Sequence, residues 1–239
     1  MSDWKIRFGT AGTSDSFTAM GYKNSLDIPA YTEKMGLDAF EYQCGHGVRL
    51  GLDKARQMAD DAAARGILFS VHAPYYISAS SLDEEKRLNS VNYLLQSCAL
   101  VKALGGRRVI FHAGSCGKQS REAALEKALD TMRRAVQAVD EAGYGDCILC
   151  PETMGKVNQL GTLDEVLALC SVDERIIPCV DFGHLYARSQ GTELTMRPPR
   201  QITPPSWMPL PQPCRGSGPK SSTRIFPALP TPRVGKNAT

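Results

Sequence analysis

No apolar run in this sequence approaches the roughly 20 residues that a membrane-spanning helix needs. The opening Met-Ser-Asp-Trp-Lys-Ile-Arg-Phe-Gly also lacks the apolar core of a secretory signal. A cytoplasmic protein without a membrane partner is therefore expected. Sustained heptads and a collagen-type glycine period are missing as well, which excludes fibrous classes. Histidine is scarce, with four in 239 residues, so the position of each one is informative. A disulfide framework is not expected either. Eight cysteines are present, but their spacing is irregular, no export signal precedes them, and reduced thiols follow. Cys147 and Cys150 form a CxxC inside the apolar run Cys-Ile-Leu-Cys. In a strand, positions i and i+3 face opposite sides, which argues against a shared metal or redox role.

Proline is nearly absent from the first 196 residues and abundant after them: 11 of the chain's 15 prolines fall in the last 43 residues. The same boundary divides the charge. Seven Lys or Arg and no Asp or Glu follow Met196, so the net charge of +3 covers a body with 21 basic and 25 acidic residues, or −4. Two segments are expected, a folded domain over 1–196 and a basic, proline-rich tail over 197–239. Proline at that density builds neither a helix nor an inner strand. The tail reads as irregular or disordered, or as a proline-rich ligand for a partner domain.

Within the body, short apolar runs alternate with longer amphipathic ones, the pattern of βαβ units. The predicted strands are Lys5 to Gly9, Asp38 to Tyr42, Ile67 to His72, Arg108 to His112, Cys147 to Glu152 and Ile176 to Asp181. The predicted helices are Ile28 to Met35, Leu52 to Arg65, Asp83 to Leu104, Arg121 to Ala142 and Leu163 to Cys170. Gly105-Gly106, Gly143 and Gly145 sit where helices should stop. A composition of 42% hydrophobic and 22% charged residues suits a domain that buries a core. The fold class is α/β, most of a parallel (β/α) barrel with about six βα units; the resemblance given below implies an incomplete TIM-type (β/α)8 barrel. A full barrel takes on the order of 250 residues.

In such a barrel the chemistry sits at the C-terminal ends of the strands. Four successive predicted strands end in good metal ligands. His72 closes Ile67-Leu-Phe-Ser-Val-His72, His112 closes Val109-Ile-Phe-His112, and Glu152 closes Ile148-Leu-Cys-Pro-Glu152. Asp181 and His184 follow the sixth run, three residues apart. Imidazole and carboxylate without thiolate suit zinc, manganese or iron, and zinc is the commonest occupant of a hydrolytic site of this kind. More than three ligands in one cleft favour a cluster of metals acting on a phosphoryl group. Tyr75 and Tyr76 follow His72 directly and either stack on a substrate base or cover the barrel rim. His46, between glycines after the second strand, is a substrate or a surface residue. Glu41 points into the barrel mouth or to an internal salt bridge. Asn158 and Gln159 are polar loop residues with a possible substrate role.

The segments Val71-His-Ala-Pro-Tyr-Tyr-Ile77, Phe111-His-Ala-Gly114, Pro151-Glu-Thr-Met-Gly155 and Val180-Asp-Phe-Gly-His184 resemble, in order and spacing, the endonuclease IV family. These are apurinic/apyrimidinic endonucleases within the xylose-isomerase-like barrels. The resemblance covers residues 1 to about 196. It implies a (β/α)8 barrel with two or three zinc ions and hydrolysis of the phosphodiester 5′ to an abasic sugar in double-stranded DNA by a monomer. It also implies metal ligation by His72, His112, Glu152, Asp181 and His184, with Glu152 bridging and catalytic, and substrate contacts by Tyr75 and Tyr76. The alternative on the same barrel is a sugar isomerase or epimerase using manganese or magnesium, with Glu152 moving a proton. A non-catalytic binding protein that uses the tail is a third possibility.

The family's last two strands, with their further ligands, have no counterpart after residue 196. Read one base over, the codons of Arg224 to Leu229 permit His-Phe-Ser-Gly-Ile, and those of Arg233 to Thr239 permit Gly-Gly-Glu-Lys-Arg-His. These strings resemble the family's seventh-strand region. The tail is thus also readable as a frameshift product that leaves the domain truncated and its activity impaired. Independent resequencing of the coding DNA across the codons for Thr195 to Pro199 should find a one-base insertion or deletion, whereas an intact frame would end this reading.

Overall fold

Strand and helix alternate as the sequence patterning requires, in a computed structural model that describes residues 6–190. The chain divides into two units, Met1–Met196 and Arg197–Thr239. The tail, and with it every reading of it, lies outside the described residues, and the first unit is described here. Its elements are β1 (Gly9–Ala11), α1 (Asp15–Ala19), a 3-10 turn (Ser25–Asp27), α2 (Ile28–Lys34), β2 (Ala39–Gln43), α3 (Leu52–Ala64) and β3 (Leu68–His72). They continue with α4 (Glu84–Ala103), β4 (Arg108–Phe111), α5 (Arg121–Glu141), β5 (Ile148–Pro151), α6 (Leu163–Cys170) and α7 (Phe182–Arg188). The five strands pair in parallel in sequence order. Parallel order with a helix at each of the later crossovers is the wall of a TIM barrel, here a partial one.

The helices begin where side chains replace missing backbone partners. Asp83 accepts from Glu85 N and Ser120 from Ala123 N, while Thr162 and Glu165 form a reciprocal capping box. At the other end of α4 the chain turns back tightly, and a Cβ on Gly106 would lie 2.1 Å from the Phe69 carbonyl oxygen. Only glycine lets α4 hand over to β4 at that distance.

Strand register sorts the side chains into two faces. Phe40 pairs with Phe69 and Val71 with Val109 on the face toward the helices. There they are buried with Met58, Leu94, Val101 and Met132. The alanines Ala55, Ala62, Ala128 and Ala135 are also fully buried and let α3 and α5 pack close to this layer. On the opposite face Glu41 pairs with Ser70, Gln43 with His72, His72 with Ile110 and Ile110 with Cys150. This second row leads up to the cluster described below.

Three expectations are corrected. The first strand is Gly9–Ala11 rather than Lys5 to Gly9. The apolar residues that suggested it, Ile6 and Phe8, are 76% and 56% exposed, and residues 1–5 lie outside the described residues. The run Ile176 to Asp181 meets the sheet only through the bridges Leu149 to Ile176 and Glu152 to Cys179. Pro178, at its centre, has no N–H to extend a ladder. The helix α7 was not expected; Asp181 caps it by accepting from His184 N at 2.7 Å. The predicted helices differ from those observed by no more than one residue at either end.

Gly106→Ala should lower the urea midpoint by the equivalent of about 1–3 kcal/mol or more, because the added methyl meets rigid backbone. An unchanged midpoint would show that the α4–β4 turn relaxes freely.

Candidate metal centre

Four strand-end segments converge on one cavity of about 860 Å³. His72 ends β3, His112 follows β4, and Glu152 follows β5, where its backbone N–H donates to Phe111 O at 3.0 Å. Asp181 and His184 stand at the start of α7. The parallel register brings these ends to one level, so residues 80 positions apart touch. Glu152 Oε2 lies 3.2 Å from His72 Nε2 and 3.0 Å from His112 Nε2. Its Oε1 lies 3.7 Å from His184 Nδ1, which is 3.5 Å from Asp181 Oδ2.

Donor atoms of His72, His112 and Glu152 lie within 4.8 Å of one another, and so do those of Glu152, Asp181 and His184. Glu152 belongs to both trios. The surroundings suit ligation. His72 Nδ1 is 2.9 Å from Ala73 O and His184 Nδ1 is 2.8 Å from Thr153 O. A carbonyl only accepts, so each Nδ1 donates to it, and this bond orients the ring as at metal-binding histidines. The Thr153 hydroxyl also accepts from Asp181 N at 2.8 Å and donates to Asp181 O at 3.2 Å. Thr153 therefore fixes both residues of the second trio.

The electrostatics favour an ionised Glu152. Burial pushes its carboxyl upward, yet hydrogen bonds from His112 and His72, with their charge, hold it down at about 2. Burial in turn draws His72 downward, but its bonds to Glu152 and to the Ala73 carbonyl leave it above its ordinary value. The nearby thiols take no such part. Burial pushes Cys150 up to about 12 and raises Cys179 as well, so both stay protonated. The donor set is nitrogen and oxygen.

The other sequence candidates separate. Tyr75 stacks on His112 with ring centroids 5.4 Å apart and an interplanar angle of 20°, and meets His72 edge-on, also at 5.4 Å. It lines the cavity and is 54% exposed. A Cβ on Gly45 would fall 2.9 Å from the Tyr75 ring, so glycine is what admits the ring there. Tyr76 turns away, toward Tyr93 and His46, with its hydroxyl 3.5 Å from His46 Nδ1. Neither Tyr76 nor His46 lines the cavity. Glu41 does, and it forms no ion pair among the described residues, which decides between its two readings. Gln159 lines the cavity, whereas Asn158 is exposed outside it.

Other contributors carried no sequence signal. The β5–α6 loop is clamped from two helices. Arg121 donates to Val157 O at 2.6 Å and Gln159 O at 3.0 Å while it pairs with Glu165. Arg188 reaches Met154 O and Lys156 O, each at 3.1 Å. The clamp holds Met154, Gly155, Lys156 and Gln159 on the cavity wall.

A parallel α/β barrel wall whose strand ends gather histidines and carboxylates defines a metal-dependent barrel enzyme. The chain belongs to the xylose isomerase-like TIM barrel family, whose model matches residues 29–204. An uncharacterized protein of Methanocaldococcus jannaschii is 33% identical over 184 residues, covering 77% of this chain and 64% of that protein. A Mycoplasma pneumoniae protein named probable endonuclease 4 is 31% identical over 121 residues, covering 48% of this chain and 41% of that protein. Among solved structures, D-psicose 3-epimerase from Clostridium cellulolyticum H10 superposes with a TM-score of 0.59 at 14% identity, covering 75% of this chain and 65% of that one. At that identity the likeness is one of fold. The chain spans less than two thirds of the length of these relatives. No helix among the described residues is long and apolar enough to cross a membrane.

Because the Glu152 carboxyl is held below its ordinary value in the folded state, its contribution to stability is complete above the ordinary carboxylate range. That contribution is lost as pH falls toward about 2. Thermal melts of chelator-treated protein should show this loss, and Glu152→Gln should flatten it. Equal acid sensitivity in both proteins would contradict the assignment.

Proposed function

We propose that the protein is a metal-dependent phosphodiester hydrolase of the endonuclease IV type, acting at abasic sites in double-stranded DNA. In this reading His72, His112, Glu152, Asp181 and His184 are the metal ligands and zinc is the metal. The observation that carries it is the sharing of Glu152 by two donor trios. A carboxylate common to two trios suits a pair of ions, and paired ions suit the attacking and leaving oxygens of a phosphoryl transfer. The M. pneumoniae relative supports the same reading by its name.

Zinc, when bound, supplies a water acidic enough to attack at neutral pH and neutralises charge on the phosphoryl oxygens. The chain's own groups prepare the site. Glu152 stays ionised between His72 and His112. The carbonyls of Ala73 and Thr153 orient the rings of His72 and His184 by accepting from Nδ1. Tyr75 covers His72 and His112, keeps water from that side and offers its exposed face to the substrate. Lys156, on the clamped loop, brings a cation to the wall where a phosphate would lie. Tyr76 and His46, 3.5 Å apart outside the cavity, would contact the flanking duplex in this reading. Action as a monomer in the cytoplasm goes with this function.

Zinc-loaded protein should hold two ions per chain by elemental analysis, and Glu152→Ala no more than one. It should incise a duplex with one abasic site, and chelator or Glu152→Gln should abolish the incision. Zinc-loaded protein that leaves this duplex intact and interconverts a ketose with its epimer would replace the hydrolase with the epimerase reading.

A further inference from the structure

One carboxylate in the cavity belongs to neither trio. Glu41 projects from β2 on the same face as His72, and the register sets it beside Ser70 while its neighbour Gln43 stands beside His72. Glu41 and Gln43 both line the cavity with His72, His112 and Glu152. Gln43 Nε2 donates to Glu41 Oε1 at 2.8 Å. No Lys or Arg among the described residues pairs with Glu41, and its second oxygen has no hydrogen-bond partner there. Burial raises the Glu41 carboxyl above its ordinary value, opposed first by the charge of His72. A half-buried acid with one amide for company is costly to a fold. In an enzyme cavity, such a group points to a ligand that completes it.

The ligand chemistry follows from what an acid oxygen accepts. A phosphate oxygen carries negative charge and has no proton to give, so Glu41 cannot bind it. A hydroxyl has one. An abasic deoxyribose carries a hydroxyl on the carbon where an intact nucleotide carries its base, and a base nitrogen at that position has no proton.

We propose that Glu41, oriented by Gln43, binds the anomeric hydroxyl of the substrate sugar and so distinguishes an abasic site from an intact nucleotide. This inference rests on the hydrolase reading. Glu41 acts in it as a specificity-determining residue, separate from the metal ligands.

The test uses the zinc-loaded full chain and two duplexes that differ in one group: a natural abasic site, and a tetrahydrofuran analogue that lacks the hydroxyl. Wild type should favour the natural site by about tenfold or more in kcat/KM, mainly through KM, as expected for a hydrogen bond to a charged group. Glu41→Ala should bring the ratio to about one, with the larger loss on the natural site, and leave the zinc content unchanged. Glu41→Gln, which keeps an acceptor oxygen, should restore part of the preference. Equal wild-type rates on both duplexes would overturn the inference and leave the hydrolase reading standing. Loss of zinc in Glu41→Ala would overturn it by making Glu41 a ligand. Failure to incise either duplex would remove the hydrolase reading and this inference together.

Discussion

A buried negative charge at Glu152 sets the terms for the rest of this structure. Such a group is costly in a protein interior unless partners surround it, and here the partners come from three other segments. His72 and His112 approach one oxygen and His184 the other. That requires the ends of β3, β4 and β5 and the start of α7 to reach one level. The parallel register delivers this, and the burial of Phe40, Phe69, Val71, Val109 and Leu149 against the helices fixes the register. A slip of one residue would turn every inward group outward, so the hydrophobic layer and the polar cluster are a single constraint seen from two faces.

Much of this was legible in the sequence because both periodicities are strong. The long helices α4 and α5 carry clear caps and glycine stops, and they fall within a residue of their expected limits. The five candidate ligands stood out for a simpler reason, since His72, His112, Glu152 and Asp181 each close an apolar run and His184 follows three residues after Asp181. The first strand was misjudged because Ile6 and Phe8 are apolar without being buried. The sixth run has the apolarity of a strand, but Pro178 limits it to isolated bridges. The helix α7 buries none of its seven residues, so it has no apolar face for a periodicity to show.

What the sequence could not display is the layer behind the candidate ligands. Thr153 orients His184 and Asp181 through its carbonyl and hydroxyl, yet in the chain it is just the residue after Glu152. Arg121 and Arg188 are 67 positions apart and meet on one loop through backbone carbonyls, which carry no identity that a pattern could detect. Glu41 was visible as a strand-end acid, but its choice between a salt bridge and the cavity depended on which cations the fold brings near. Orientation and solvation are properties of the assembled neighbourhood, whereas donor type belongs to the residue.

Gly45 and Tyr75 together determine how anything reaches the cluster. The tyrosine ring is held between the bare α-carbon of Gly45 on one side and the imidazole of His112 on the other. These two contacts brace the ring on that flank of the mouth. Gly155, Lys156 and Ala187 line the cavity with no such aromatic brace among the described residues. Residues there, rather than the aromatic rim, would govern the size of what can enter and the rate at which product leaves.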